Sequence, residues 1–343
     1  MFDDFPLLKK CIYLNTAYVG LMSQGLYDFR RKYDLDYINK GDHVYMSKHK
    51  IVNKARISIS KFFGSKFNQT FVSSNFSSAL RSVLEYVPKN AKFLVLEEDY
   101  PSILNSIKEH SFNYHQIPIT HDLEHNIEKL IKEKKINVIA LSLVQWISGL
   151  LIDIEFLKKI KLKFPELIII GDGTQFLGGH FFHFQDSPFD FIAASGYKWL
   201  ISGFGNGLFM ISDNFFDYTK INESILLEKI FDGHSDLLGI ESLNYSINNL
   251  QKKNFKLLIN KKNETTAILK KSLKQLNLLD DFSSRRENHS SIFNIKLNHK
   301  EFKFLINNNI RCVKRGNGVR VSVHFYNSIE DIKNFIFLLK QLN

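Results

Sequence analysis

Cysteine is almost missing from this chain: Cys11 and Cys312 are the only two among 343 residues. They stand too far apart in sequence to suggest a disulfide framework or, by themselves, a zinc site. Proline is scarce at 6 and tryptophan at 2, and no Gly/Ser-rich or low-complexity tract marks a flexible linker. Long apolar runs are also lacking. The longest, Val138 to Ile152, is interrupted by Ser142, Gln145 and Ser148 and falls short of the roughly 20 residues a spanning helix needs. The opening MFDDFPLLKK has two early aspartates and nothing like a signal-peptide core, so a cytoplasmic protein with no membrane partner is expected. Triplets such as Asn75-Phe76-Ser77 are then not expected to carry glycan.

Charge is present in excess of one sign. Lys and Arg number 46 against 35 Asp and Glu, a net +11 that favours anionic ligands. The basic residues are dispersed, and no nucleic-acid motif accompanies them. The densest run, KKNFKLLINKK at 252–262, keeps Phe255, Leu258 and Ile259 at helical spacing. Its lysines therefore read as the solvated side of an amphipathic helix, and no nucleic-acid partner is expected.

From residue 70 the chain alternates. TFVSS, KFLVLEE (92–98), NVIALSLV (137–144), LIIIGD (167–172), DFIAAS (190–195) and GLFMIS (207–212) are short apolar runs without polar alternation. Such runs suit strands buried on both faces. Helical patterns at 127–135 and 154–164 fall between them, which predicts an α/β domain with a mostly parallel sheet flanked by helices. Beyond residue 215 come lysine-rich helical patterns, a strand at 292–297, a helix at 301–308 and a strand pair within IRCVKRGNGVRVSVHF. A final helix starts at Ile329 behind Ser328 as N-cap. The expected division is a large domain at 15–215, with 1–14 and 216–343 forming a smaller α+β domain.

Ligands in such sheets sit at the carboxyl ends of strands. Four of these ends carry reactive or binding groups: Asp172 with Gln175, Ser195 with Tyr197 and Lys198, the serine-rich turn around Asn75, Phe76 and Ser77, and Tyr100 before Pro101. A lysine between an apolar strand and a glycine-rich turn is costly unless its amine is neutral, partnered or covalently used. Carboxylate, amine, helix-start anion cradle and flat ring together fit pyridoxal 5′-phosphate. Lys198 would form the Schiff base and, once released, act as the general base. Asp172 would hold the ring nitrogen protonated, and Ser195, Ser77 and the N–H groups of Phe76 and Ser77 would take the phosphate. Tyr100 would stack on the ring and Gln175 would bond its hydroxyl. GFGNG (203–207) lacks the lysine of a P-loop and reads as a tight turn. His180 and His183 are read as lacking a nearby carboxylate or thiol partner, so no metal site is expected.

The order of YLNTAYVG (13–20), FVSSNFSSAL (71–80), EEDYPS (97–102), GDGTQFLG (171–178), SGYKWL (195–200) and VRVSVHFYNS (319–328) resembles the class V aminotransferase family across nearly the whole chain. These are fold type I pyridoxal-phosphate enzymes that include cysteine desulfurases, kynureninase and isopenicillin N epimerase. The resemblance implies the roles above, a small amino-acid substrate, and a homodimer with active sites at its interface. It implies that Arg320 holds the substrate carboxylate, with Asn15 beside it. It also places Tyr197 where the family has a phosphate-binding histidine, and Trp146 where desulfurases have asparagine near the cofactor hydroxyl. His234 takes a threonine position that reaches the neighbouring subunit's phosphate. Cys312 lies only eight positions before Arg320, within an expected strand, so it is read as a packed thiol and desulfuration is disfavoured. Transamination is the expectation because it needs no extra nucleophile. Epimerisation or C–S/β-elimination is the alternative, and a non-catalytic anion-binding protein a distant one.

Overall fold

A computed structural model describes residues 4–232 and 235–342. A short N-terminal strand, β1 (Ile12–Tyr13), precedes the central sheet. That sheet is built from β2 (Thr70–Ser73), β3 (Lys92–Leu96), β4 (Asn113–Ile117), β5 (Val138–Ser142), β6 (Ile168–Asp172), β7 (Phe191–Ser195) and β8 (Gly207–Ile211). Their order across the sheet is β2-β8-β7-β6-β5-β3-β4. The pairs from β7 to β4 are parallel, while β8 runs antiparallel to both β2 and β7. This is the mostly parallel α/β architecture that the unbroken apolar runs predict.

The reason those runs do not alternate is visible in where each residue packs. Ile169 and Ile192 join one core cluster, and their strand neighbours Ile168, Ile170, Phe191 and Ala193 join the other. Successive side chains point to opposite faces, so a strand covered by helices on both faces must be apolar throughout. Edge strand β4 breaks the rule. Its NYHQI sequence pairs only with β3 and leaves Asn113 and Gln116 exposed, so the apolar-run criterion passes over it.

A second sheet holds β9 (Ile292–Ile295), β11 (Val313–Arg315) and β12 (Gly318–Ser322) in the antiparallel order β11-β12-β9; β10 (Ile310–Arg311) pairs in parallel with β1. Helices His299–Asn307 and Ile329–Lys340 pack on it, each opened by a reciprocal capping box from Asn298 and Ser328. Its core gathers Leu14, Leu273, Phe293, Val321, Phe335 and Cys312.

Packing does not change at residue 215. Ile221 and Leu226 sit in a core of the large sheet, and Leu237, Ile240, Leu243 and Ile247 pack in the other with Ile51, Val52 and Ile59. Helix Phe255–Gln275 then spans both units, with Leu258 in the large core and Leu269 and Leu273 in the small one. The basic run 252–262 is divided between two helices: one ends at Lys252, and Asn254, at φ +57°, caps the next. Nor are all its lysines solvated, since Lys262 is 1% exposed and donates to the Gly179 carbonyl. Among the described residues no helix is long and apolar enough to cross a membrane.

Candidate active site

The carboxyl ends of β6 and β7 lie side by side, with Asp172 registered against Ala193. Parallel pairing therefore delivers the last residue of one strand and the loop after the next to one place. Asp172 and Lys198 line a single pocket with Tyr100, Ser142, Trp146, Thr174, Gln175, Ser195 and Tyr197. A wider cleft lined by Ser73, Ser78, Arg81, Gly205 and Lys229 shares no residue with it, and its own amine and acid, Lys229 and Glu85, are open to solvent and already paired with each other.

Both charged groups are nearly out of water, Asp172 at 4% exposure and Lys198 at 8%. Burial pushes the Asp172 carboxyl up from the usual carboxylate range, opposed by the Thr174 N–H, which donates to it at 2.8 Å, and by the charge on Lys198. Burial pushes the Lys198 amine down; Asp172 opposes this, and Arg320 and Arg315 add to it. Lys198 Nζ makes no hydrogen bond or ion pair among the described residues. It lies 5.8 Å from the centre of the Tyr100 ring and 5.6 Å from that of Tyr197. A buried amine with no acceptor, beside a buried acid on the next strand, is the arrangement that a covalently held aldehyde on a pyridine ring would satisfy. The residues present fit that group.

The approach of the N-terminal arm positions the lysine. Gly20 N–H donates to the Tyr197 carbonyl at 2.9 Å, and a Cβ there would fall 2.0 Å from the Lys198 carbonyl oxygen. Only glycine permits that contact. The following GFGNG is a turn, with Gly203 at φ +75° and Gly205 at φ +82°. Trp199 is buried, and its indole donates to Gln175 Oε1 at 2.7 Å, while Gln175 Nε2 donates to the Ala17 carbonyl. Gln175 thus faces the pocket with its amide already held at both ends.

At the opposite wall, helix Phe76–Leu84 begins with Asn75, whose side chain accepts from Ser78 N–H. Phe76 N–H donates to Ser195 Oγ at 3.0 Å and Ser77 Oγ to Ser102 Oγ at 2.7 Å. Helix-start donors and the strand-end serine therefore meet, as an anion site requires. Tyr100 packs edge-on to Trp146 at 6.2 Å. Arg320, 2% exposed, donates to the Trp146 carbonyl at 2.5 Å. Asn15 bridges to Ser322 on the same strand, and its buried Oδ1 has no donor among the described residues. His234 lies outside the described residues.

Cys312 is 7% exposed in the small core, where burial pushes its thiol up to about 12. Cys11 is buried against the Leu7 carbonyl and is also raised by burial. Neither lines the pocket. His183 pairs with Asp186 at 2.9 Å and His180 stacks on Phe176. Thr174, Ser142 and Asp99 were not anticipated. Thr174 Oγ1 accepts from Ser195 N–H, and the Asp99 carboxylate accepts from Ser142 N–H and Tyr100 N–H. Nothing in an isolated Thr or Asp marks it for such work; only EEDYPS, which places Asp99 next to Tyr100, carried any hint.

A buried aspartate at one strand end and a buried lysine in the loop after the next are compatible with a pyridoxal-phosphate enzyme of fold type I. Residues 24–335 match the family model described as Aminotransferase class-V, and the chain belongs to that family. Similar proteins include a probable cysteine desulfurase of Pyrococcus abyssi, 23% identical over 99% of this chain and 96% of its own. The apo cysteine desulfurase of Thermococcus onnurineus NA1 superposes with a TM-score of 0.82 at 19% identity, covering 99% of this chain and 96% of that one. The cystine C–S lyase C-DES, solved with its product cysteine persulfide, superposes with a TM-score of 0.86 at 15% identity, covering 98% of both chains. A mutant of C-DES with glycine covalently linked to its PLP cofactor reaches 0.88 at 14% identity, again over 98% of both.

Proposed function

We propose that this protein is a pyridoxal-phosphate enzyme that removes the α-proton of a small amino acid and expels a sulfur substituent from the β-carbon. Lys198 would hold the aldehyde carbon and Asp172 would face the ring nitrogen, a reading supported by their sharing one pocket. Ser195, Ser77, the Phe76 and Ser77 N–H groups and Tyr197 would surround the phosphate, with Tyr100 over the ring. The chemistry pyridoxal phosphate supplies when bound there is an electron sink for charge left on the substrate's α-carbon.

The chain's own residues do the rest. Arg320 offers a planar fork to the substrate carboxylate. Lys198, its amine pushed down by burial, is neutral in a larger fraction of molecules near neutral pH than a solvated lysine and so takes the α-proton more readily. Trp146 and Tyr100 wall the pocket and exclude water.

The sulfur reading is supported by the likeness to both desulfurases and a C–S lyase, and the absence of any thiol from the pocket lining favours the lyase over the desulfurase. A desulfurase passes sulfur to its own cysteine, whereas a lyase releases it with the leaving group and needs none. Transamination is the second reading, favoured by the family description and by a single amine base at the site. A homodimer accompanies either reading, supported by the exposed Tyr27, Leu35, Tyr37 and Ile38 along helix Gln24–Lys40.

The test is a panel of amino acids that includes cystine and cysteine, offered to the yellow holoenzyme. Release of pyruvate with sulfide or persulfide supports elimination. A keto acid with accumulating pyridoxamine phosphate supports transamination instead. A wild-type protein that stays colourless after cofactor addition overturns both, and light scattering reads the dimer.

A further inference from the structure

A second guanidinium stands beside Arg320 with nothing to neutralise it. In the β11–β12 hairpin, Val313 is registered against Arg320 and Arg315 against Gly318. Directly paired residues share a face and so do residues two apart along a strand. Arg315 and Arg320 therefore project from the same face, one step along the hairpin, with Lys314 on the other. Both lean on one residue: Arg320 donates to the Trp146 carbonyl, and the Arg315 guanidinium lies 5.7 Å from the Trp146 ring centre and 5.3 Å from that of Tyr18. Trp146 in turn walls the pocket that holds Lys198.

The Nε atoms of both arginines are buried and have no hydrogen-bond partner among the described residues. Neither guanidinium is ion-paired among the described residues, although a buried cation such as Arg320 is ordinarily paired and Arg315 beside it is half-buried. The charge on Arg315 is felt across the group, since it helps push down both Arg320, to about 10, and Lys198. The phosphate cradle does not account for it, because the Phe76 N–H meets Ser195 Oγ and the Ser77 hydroxyl meets Ser102 Oγ, and none of them meets either arginine.

Resting on the reading of the site given above, we propose that Arg315 determines specificity by binding a second carboxylate on the substrate. The natural substrate is then a dianionic amino acid. One carboxylate satisfies Arg320; with a monoanionic substrate Arg315, half-buried and with its Nε out of water, would be left without an anion beside a second cation. A second carboxylate gives each fork an anion, and the planar shape of a guanidinium suits bidentate capture.

The experiment titrates the holoenzyme with unreactive succinate, glutarate and adipate against butyrate, following cofactor absorbance and heat. At least one dicarboxylate is expected to bind about 10- to 100-fold more tightly than butyrate, the worth of one added charge-assisted contact. In Arg315→Gln that advantage falls to about twofold or less. Arg315→Lys restores part of it, which a merely structural role would not do. With substrates, the ratio of kcat/KM for dianionic over monoanionic amino acids falls by the same factor, carried in KM. Equal binding of butyrate and every dicarboxylate by the wild type overturns the proposal, and so does an advantage that survives in Arg315→Gln. A colourless protein fails the cofactor reading instead, and the two failures are told apart by absorbance before any ligand is added.

Discussion

Replacing Cys312 by alanine separates sulfur chemistry that uses an enzyme thiol from chemistry that does not. Cys312 sits in the one-residue gap between β10 and β11, 7% exposed, in a core shared with Leu14, Ile310 and Phe335. With its thiol pushed up to about 12, the ionised fraction at pH 7 is on the order of 1 in 10⁵. As a nucleophile it would forfeit that factor before any contact with substrate. Structurally, the exchange removes one buried sulfur and leaves a void smaller than a Leu→Ala cavity, costing roughly 1 kcal/mol. In a chain of this length that lowers Tm by about 1–3 °C. The assay measures sulfide or persulfide release and pyruvate from the same holoenzyme preparations, with Tm read in parallel. Turnover within about twofold of wild type is expected, because the missing sulfur takes no part. A loss beyond about tenfold, which is 1.4 kcal/mol of barrier, with Tm moved only by the few degrees above, would refute the reasoning and restore a thiol-dependent desulfurase.

Other perturbations address other parts of the same construction. Lys198→Ala should give a protein that does not turn yellow through a covalent link, with turnover reduced by about 10²–10⁴-fold or more; retained activity would dismiss Lys198 as the base. Gly20→Ala, with its Cβ 2.0 Å from the Lys198 carbonyl, should force the arm and the lysine loop apart. Cofactor affinity and Tm should both fall, while Gly41→Ala, where a Cβ meets nothing but the backbone is at φ +53°, should cost some Tm through strain and spare the cofactor. Lys262→Met tests a buried amine that burial pushes down to about 7. Between pH 7 and about 10 the unfolded chain holds a proton there that the folded one lacks, so this residue makes stability rise with pH across that window. The methionine variant should lose that slope in denaturant titrations and gain stability relative to wild type at and below pH 7; an unchanged slope would mean Lys262 stays charged when buried.

Much of this was legible in the chain because it depends on local pattern. Runs such as LIIIGD and DFIAAS are apolar at every position, which only strands covered on both faces tolerate, so the central sheet and its parallel character follow directly. Ser328 and Asp331 at the start of the last helix, and the glycines of GFGNG, are likewise local signals. Edge strand β4 escaped because a strand paired on one side is free to be polar. The unit boundary escaped because the helix Leu237–Lys252 is amphipathic wherever it packs, and its sequence does not say which core it joins.

The types and order of residues by themselves put a lysine, an acid and a serine-rich helix start at the ends of apolar strands, since strand-end position is a property of the pattern, while Arg320 joins that set only through the family resemblance. Tertiary structure alone decided which groups are buried without partners. It sank Lys262 beneath Gly179 and turned Arg315 and Arg320 to one face of a hairpin against Trp146. The physical reason is that desolvation and pairing depend on neighbours hundreds of residues away. Trp146 and Arg320 meet only after both sheets have formed, and no window along the chain contains both.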